Sequence, residues 1–186
     1  IRKDALYCDR IDKPRRAGTR TVMDYVFRCI VTWYAPILCF TMEEAWVSRF
    51  GADDSVHLHD FFVTPPEWKS PALIEKWKRI RSFRRVVTGA VEIERAAKNI
   101  GSSLEARPVA YIDKQEWQEL DRFPARDIAI TSEFELRPIS EAPEAAFRLP
   151  DVPNVEVVVE RASGEKCARC WMVLEEVSQR PDTHLC

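Results

Sequence analysis

Few features of this sequence suggest a self-contained enzyme or a membrane protein. Its 186 residues include three histidines, of which His57 and His59 fall in one connecting segment. No Ser/His/Asp or Cys/His arrangement suggests nucleophilic catalysis, and no glycine-rich loop is present to hold a phosphate. No apolar run is long enough to span a bilayer, and no signal peptide is present. Without a third ligand nearby, we expect His57 and His59 to serve in packing and hydrogen bonding.

The charge is nearly balanced overall but unevenly distributed. The net charge of −2 provides no global basic field for a nucleic-acid partner. One stretch nevertheless carries six basic residues without an intervening acid: Lys76, Lys78, Arg79, Arg81, Arg84 and Arg85. On a helix these side chains form a basic collar around an apolar stripe instead of one patch. They are either a solvated surface or phosphate contacts, with Lys76, Arg79 and Arg84 as candidates.

Cysteine spacing predicts a metal site near the end of the chain. Cys167 and Cys170 form a C-x-x-C pair, and Cys186 follows at the separation expected of a second pair. Structural zinc sites commonly combine two such pairs about 15 to 20 residues apart. The pair could instead be a redox pair or unrelated free thiols, but the position of Cys186 favours zinc. With three thiols available, the fourth ligand would be water, a residue of a neighbouring molecule, or His184. In the last case a turn at Pro181 would bring His184 back toward the cysteine pair.

The remaining cysteines and the chain ends suggest part of a cytosolic protein. Cys8, Cys29 and Cys39 lie in apolar or helical patterns, which favours reduced thiols in the cytoplasm over a disulfide framework. The sequence starts at Ile1 without an initiator methionine and stops where the second cysteine pair would begin. We therefore expect a fragment of a longer cytoplasmic protein.

The first hundred residues have the pattern of helices. Apolar residues recur at helical spacing along the first long one: Val22, Val26, Cys29, Ile30, Trp33 and Ile37. This stripe predicts packing against a partner helix. Pro36 should end or bend the helix, Gly51 should stop a second one, and a third is predicted from Pro71 to about Lys98.

Beyond Ser103 the apolar period changes from helical to alternating, which predicts a small mixed layer. We expect strands at four segments: Val109 to Ile112, Ile128 to Ile130, Phe134 to Leu136 and Val155 to Val159. A short helix is expected at Gln115 to Leu120. The prolines between Leu149 and Pro153 predict a linker.

Several segments resemble the C-terminal part of bacterial isoleucyl-tRNA synthetases. They are Ile1 to Asp9 (IRKDALYCD), Trp33 to Trp46 (WYAPILCFTMEEAW), Asn99 to Ala106 (NIGSSLEA) and Lys166 to Trp171 (KCARCW), with Leu185 and Cys186. The start of the second segment is shared with valyl and leucyl enzymes. The third, combined with a terminal cysteine pair, distinguishes the isoleucine enzyme. The resemblance covers essentially the whole chain.

The resemblance implies a mainly α fold in three parts. These are the anticodon-binding helical bundle of class Ia synthetases over residues 1–103, a small α/β junction over 104–150, and a strand with an incomplete zinc knuckle over 151–186. It also implies isoleucine tRNA as the partner, no membrane or DNA contact, and a monomer. Zinc is expected in the full-length protein.

The activity of that family, joining isoleucine to its tRNA with ATP, would require domains upstream of this chain. The His-Ile-Gly-His and Lys-Met-Ser-Lys-Ser signatures that would hold ATP are missing here. ATP is therefore expected only in a catalytic domain outside the chain, as is the editing domain. We predict no catalytic residue here and no formation of aminoacyl-adenylate.

Arg169 and Trp171 are the first candidates for tRNA contact. The resemblance places the cysteine knuckle near the anticodon stem-loop, whose unpaired bases stack on aromatic rings and guanidinium planes. These two residues flank Cys170, so a metal-bound knuckle would hold them in fixed positions. In the competing interpretation, the Trp171 indole packs against the strand that carries Val157 and Val159.

Arg15, Arg16 and Arg20 are the second candidates, at the start of the first long helix. Arg15 and Arg16 match a basic pair common in the resembling family. A pair of arginines at such a position is otherwise often a solvated helix cap.

A second class of function also fits this sequence. The helices could form a protein-interaction module with an appended zinc ribbon, in which the basic collar is solvated and Trp171 contacts another protein. Binding that depends steeply on salt and on an anticodon stem-loop would separate tRNA recognition from protein association.

Overall fold

A computed structural model describes residues 3–118, 124–180 and 182–186. Contacts divide the chain into two units, Ile1–Lys69 and Ser70–Cys186. The first unit is helical, and the second combines a long helix with a four-stranded sheet and a terminal hairpin. Within the described ranges, no helix has the length and apolar character that crossing a membrane requires.

The first unit contains three helices joined by short connections. They are α1 (Lys3–Tyr7), α2 (Pro14–Tyr34) and α3 (Cys39–Phe50), followed by 3-10 turns at Val56–Leu58 and Pro66–Trp68. Pro14 suits the first turn of α2 because its φ is already helical and its missing N–H has no partner there. As predicted, α2 ends just before Pro36, and Gly51, with φ 100°, follows the last residue of α3.

The core of the first unit lies where α2 meets α3 and the following segment. It consists of Val31, Ala35, Met42, Trp46 and Val56. The segment after α3 is held to α2 by Phe62, whose N–H donates to Thr32 Oγ1 at 3.0 Å and whose carbonyl accepts from Trp33 Nε1 at 2.9 Å. The predicted stripe on α2 is not the packed face, since Val22 and Val26 are 53% and 43% exposed. The packed face is the adjacent one, which carries Val31.

The second unit begins with the long helix α4 (Pro71–Ala96), whose first turn is capped by the Ser70 hydroxyl accepting from the Leu73 N–H at 3.4 Å. The other elements are β1 (Ala106–Ile112), α5 (Ala125–Ala129), β2 (Glu135–Pro138), β3 (Phe147–Leu149), β4 (Val152–Arg161), β5 (Glu165–Lys166), β6 (Val173–Leu174) and α6 (Glu175–Ser178). Two 3-10 turns lie at Ser103–Glu105 and Ile139–Glu141. The sheet has the order β2-β1-β4-β3, with β1 and β2 parallel and the other pairs antiparallel.

Helix α4 packs its apolar side against this sheet. Its buried residues join those of the strands in one cluster that includes Phe83, Val86, Val87, Ala90, Val91, Ala110, Ile112, Val155 and Val157. Gly89 permits this approach, because a Cβ there would lie 2.9 Å from the Phe147 ring. The contacts therefore group α4 with the sheet, whereas the segment predicted over 1–103 grouped it with the preceding helices.

Two local predictions in the second unit are wrong. Ile128 to Ile130 is not a strand, because α5 occupies Ala125–Ala129 and Ile130 follows it in the left-handed region at φ 61°. Leu149 to Pro153 is not a linker, because β3 ends at Leu149 and β4 starts at Val152 as its antiparallel neighbour. The expected helix at Gln115 to Leu120 lies partly outside the described residues.

Candidate metal centre and basic surfaces

A tight hairpin holds the first two cysteines. Strands β5 and β6 pair antiparallel, and the chain between them carries Cys167 and Cys170. Gly164, before β5, has φ +101°, and a Cβ there would lie 2.3 Å from the Leu174 carbonyl carbon. Only glycine fits this close approach without strain. Within the turn, Cys167 N–H donates to the Met172 carbonyl at 2.8 Å, and its carbonyl accepts from Trp171 N–H at 2.9 Å.

The third cysteine returns to the same place from the end of the chain. Cys186 Sγ lies 3.6 Å from Cys167 Sγ and 3.5 Å from Cys170 Sγ, and its N–H approaches Cys167 Sγ at 3.5 Å. Cys167 and Cys170 are buried, and all three are free thiols. Among the described residues, this is the group of three close enough to share a metal ion, with all ligand atoms within 4.8 Å.

The separations fit a tetrahedral metal. An ion bonded to sulfur at about 2.3 Å places its sulfurs about 3.8 Å apart, close to the observed 3.5 and 3.6 Å. Hydrogen bonds from the hairpin backbone orient the sulfurs before any ion binds. The three predicted cysteine ligands therefore form a site that could hold one metal ion.

The protonation of the thiols agrees with a site shaped for a cation. Burial raises the pKa of Cys167, but backbone N–H groups of Cys170, Cys186 and Arg169 outweigh burial and lower this pKa to about 6. Burial and the two neighbouring sulfurs raise the pKa of Cys186 to about 12. Three thiolates repel one another at this distance, so a divalent cation would bind them with release of protons.

His184 contacts the turn that carries the cysteines through its backbone carbonyl and not through its ring. Its carbonyl accepts from Ala168 N–H at 2.9 Å, while its Nδ1 lies 3.7 Å from a Glu165 carboxylate oxygen. The ring is not part of the group of ligand atoms around the cysteines. Pro181, the expected turning point, lies outside the described residues.

The residues flanking Cys170 are at the surface. Trp171 is 55% exposed with φ 68°, and Arg169 is exposed. The Trp171 backbone is held by its hydrogen bond to Cys167. The structure thus brings an aromatic ring and a guanidinium group to the outside of the thiol cluster.

The arginines at the start of α2 have different surroundings. Arg15 binds the Asp9 carboxylate, with Nε at 2.6 Å, and this hydrogen bond is the main cause of a lowered pKa of Asp9. Arg16 donates from Nη1 to the Asp9 carbonyl at 3.0 Å. Arg16 and Arg20 line one cavity together with Arg49 of α3. Arg49 is a residue that sequence reasoning missed, since nothing in its local pattern relates it to α2.

Most side chains of the basic collar on α4 are bonded to other residues of the second unit. Arg79 donates to the Glu116 carbonyl and lies over the Trp117 ring at 5.3 Å. Arg84 Nε donates to the Ile128 carbonyl at 2.9 Å. Lys78 forms an ion pair with Glu75, and Arg85 forms one with Asp151. Lys76 is half-buried and also interacts with another group of the protein.

The histidine prediction is confirmed. His59 Nε2 lies 2.8 and 2.9 Å from the two Asp54 carboxylate oxygens, and Trp46 Nε1 donates to the same carboxylate at 3.0 Å. His57 Nε2 lies 3.2 Å from the Cys39 carbonyl. These contacts hold the segment after α3 in place.

Comparison with known proteins identifies the family. The model of a family described as the anticodon-binding domain of tRNA ligase matches residues 1–110. The chain belongs to this family. It is 49% identical over 183 residues to isoleucine–tRNA ligase of Brucella abortus biovar 1 (strain 9-941), covering 98% of this chain and 19% of that protein.

Two further relatives give the same result. Isoleucine–tRNA ligase of Bradyrhizobium diazoefficiens is 48% identical over 184 residues, covering 98% of this chain and 18% of the relative. That of Ruegeria pomeroyi is 47% identical over 188 residues, covering 100% of this chain and 19% of the relative. The chain therefore spans about a fifth of the length of the curated relatives it matches.

Proposed function

We propose that this chain is the tRNA-binding portion of an isoleucine–tRNA ligase and that it contacts the anticodon stem-loop of isoleucine tRNA. The observation that carries this proposal is the family match over residues 1–110, together with 47 to 49% identity to isoleucine–tRNA ligases along nearly the whole chain. The relatives' names state their reaction, and the matching segment belongs to the family that binds anticodons.

The contacts proposed for RNA are of two kinds. Trp171 and Arg169 offer an aromatic ring and a guanidinium plane for unpaired bases, and stacking of one base is worth about 1 to 3 kcal/mol. Arg16 and Arg20 offer charge for phosphates. Arg20, Arg169 and Trp171 are exposed, and the half-buried Arg16 lines a cavity, which supports these roles.

The other predicted phosphate contacts are weaker proposals. Arg15 is bound to Asp9, while Arg79 and Arg84 are bound to backbone carbonyls. Each could still approach a phosphate with a remaining N–H, because a guanidinium has five donors. Lys76 stays in the proposal on its charge alone.

We further propose that Cys167, Cys170 and Cys186 hold zinc in the longer protein. Their convergence and sulfur separations support a thiolate site for a soft divalent ion. A fourth ligand would come from water or another part of the protein, because the His184 ring lies beside Glu165 and outside the thiol group. Zinc would then hold the hairpin that carries Arg169 and Trp171.

Ligation of isoleucine to tRNA with ATP is proposed for the whole protein. The chain lacks the two ATP-binding signatures of class I synthetases, so no residue in it is assigned a catalytic role. We likewise propose that the chain has three functional parts: an anticodon-binding part (1–103), a junction (104–150) and a zinc-binding end (151–186). We also propose a monomeric state and a cytoplasmic location.

The test is a binding titration of the chain with isoleucine tRNA and with a non-cognate tRNA across a salt series, read from tryptophan fluorescence. We expect tighter binding to the cognate tRNA and an affinity that falls steeply with salt. An isolated anticodon stem-loop should compete for binding. Absence of binding to either tRNA at low salt would contradict the proposal.

A second candidate function rests on exposed apolar residues of the first unit. Ile37, Phe40 and Leu58 are 73%, 92% and 84% exposed, and the contact between His57 Nε2 and the Cys39 carbonyl at 3.2 Å joins the chain next to Leu58 to the chain next to Phe40. Exposed apolar patches mark protein-binding surfaces. In this interpretation the unit docks another protein. Substitution of Phe40 by Ser should then abolish protein association while leaving tRNA affinity unchanged.

A further inference from the structure

A cavity of about 430 Å³ lies within the helical unit, beside the first half of α2. Three of its lining side chains are guanidinium groups, from Arg16, Arg20 and Arg49. Asp24 is also in the wall, together with an apolar side that includes Met23 and Phe27. The size falls within the range of pockets that bind small organic molecules, about 300 to 1,000 Å³.

The carboxylate in the wall does not neutralise the cavity. Asp24 accepts hydrogen bonds from Arg28 Nε at 2.9 Å and from Arg49. These bonds lower the pKa of Asp24, so it stays ionised and is occupied by its own two partners. Among the lining side chains that the structure describes, Arg16 and Arg20 therefore provide a positive charge in excess of the one carboxylate, that of Asp24.

The two remaining arginines have donors available. Arg16 Nε is buried and has no hydrogen-bond partner among the described residues, although Nη1 of the same side chain donates to the Asp9 carbonyl. Buried N–H groups are nearly always paired in folded proteins, so an unpaired one favours binding of a ligand that supplies an acceptor. Arg20 makes no ion pair with any described carboxylate. The wall thus offers acceptor-seeking N–H groups from two guanidinium groups one helical turn apart.

The apolar side of the wall makes a simple inorganic anion a poor fit for the cavity. Phe27 is half-buried, with its ring 6.1 Å from that of Phe50, and Met23 is 38% exposed. A planar, weakly polar group would cover these side chains, whereas phosphate alone would leave them against water. The ligand that satisfies both sides is an anion joined to a planar ring.

We propose that this cavity binds one nucleotide of a single-stranded RNA segment, with its phosphate between Arg16 and Arg20 and its base against Phe27 and Met23. This inference rests on the proposed tRNA-binding function and assigns one subsite within it. Phosphate contacts of guanidinium groups are charge-assisted and frequently bidentate. The base contact is sequence-tolerant, since every base has an aromatic face.

Methionine methyl groups provide a direct readout. The chain has three methionines: Met23 in the cavity, Met42 in the helical core and Met172 in the terminal hairpin. With methyl-¹³C methionine labelling, a single-stranded RNA tetranucleotide should shift the Met23 signal saturably and leave Met42 in place. Inorganic phosphate at the same concentration should shift Met23 much less. Assignment would use Met23→Leu.

A matched pair of variants tests the phosphate side. Arg20→Met should weaken the Met23 titration about fivefold and lower the salt slope by about 1, as expected for one lost phosphate contact. Arg10→Met is the control, because Arg10 is exposed, pairs with Asp12 at 3.0 Å and lies outside the cavity. Its affinity should match that of the unmodified chain.

Four results would overturn the inference. Tight RNA binding with an unmoved Met23 signal, or equal affinity of Arg20→Met and Arg10→Met, would leave the proposed tRNA-binding function standing and remove the cavity from it. An equal Met23 shift with phosphate alone would remove the base contact. Failure of the unmodified chain to bind any RNA would overturn the proposed function and this inference with it.

Discussion

Two pairs of arginines, one in each unit of this molecule, have different surroundings. In the second unit, Arg79 and Arg84 of α4 donate to backbone carbonyls of neighbouring segments. In the first, Arg16 and Arg20 face a cavity and retain unused donors. The same residue type, in similarly basic stretches, thus completes the structure in one unit and remains available for a ligand in the other.

The units also differ in how fully they bury apolar residues. The second unit has an extended core between α4 and its sheet, with Phe83, Val86 and Val87 at 0% exposure. The first has a smaller core and leaves Phe40 and Trp33 largely exposed. Burial of apolar area is the main source of stability, so we expect the second unit to be the more stable and the first to carry more binding surface.

The largest effect should come from the core of the second unit. Phe83 is fully buried, with ring centroids 5.9 Å from Trp117 and 6.0 Å from Phe134. Phe83→Ala should lower the free energy of unfolding by about 3 to 5 kcal/mol, measured by urea denaturation. Val56→Ala, in the core of the first unit, should cost less. The reverse order would contradict the comparison.

Glycine substitutions should affect the two units with opposite signs. Gly164→Ala places a Cβ 2.3 Å from the Leu174 carbonyl carbon at a φ of +101°, so it should cost more than about 1 kcal/mol and weaken the proposed zinc binding about tenfold, as for residues that orient metal ligands. Gly18→Ala, with open space around a helical position in α2, should stabilise by about 0.5 to 1 kcal/mol. Thermal unfolding and zinc titration measure both. Unchanged zinc affinity in Gly164→Ala would show that the hairpin does not position the thiols.

Replacing one arginine in each unit should separate stability from binding. Arg84→Met removes the hydrogen bond to the Ile128 carbonyl and should lower stability by about 1 kcal/mol while weakening tRNA binding less than Arg20→Met does. Arg20→Met should leave stability unchanged and weaken tRNA binding. Urea denaturation and tRNA titration of both variants test this. Equal effects of the two variants on tRNA affinity would mean that the collar on α4 also contacts RNA.

The smallest effect concerns acid stability of the first unit. Hydrogen bonds from Arg28 and Arg49 lower the folded-state pKa of Asp24 below its usual value. A lowered folded pKa contributes stability that is present above the unfolded-state pKa, about 3.9, and is lost as pH falls through the folded value. Asp24→Asn should therefore lower the urea midpoint at pH 7 and reduce its loss between pH 5 and pH 2. An identical pH profile would contradict the role of this pair.

Much of the helical structure could be predicted because its signals are local. Pro36 and Gly51 act through their own backbone restrictions, and the helix predicted from Pro71 to about Lys98 is observed from Pro71 to Ala96. The prediction of a strand at Ile128 is wrong because a short apolar pattern does not distinguish a helix from a strand. The prediction of a linker around Pro150 is wrong because a tight turn between paired strands carries the same residue types as a linker.

The sequence by itself determined the family and singled out the three cysteines that the structure brings together, since both depend on residue identity and spacing. Only the tertiary structure decided that α4 packs on the sheet and that Val22 and Val26 stay exposed. It alone brought Arg49 beside Arg16, across 33 positions of chain. The physical reason is that burial and charge pairing depend on which elements meet, and the local pattern of one helix holds no information about its neighbour.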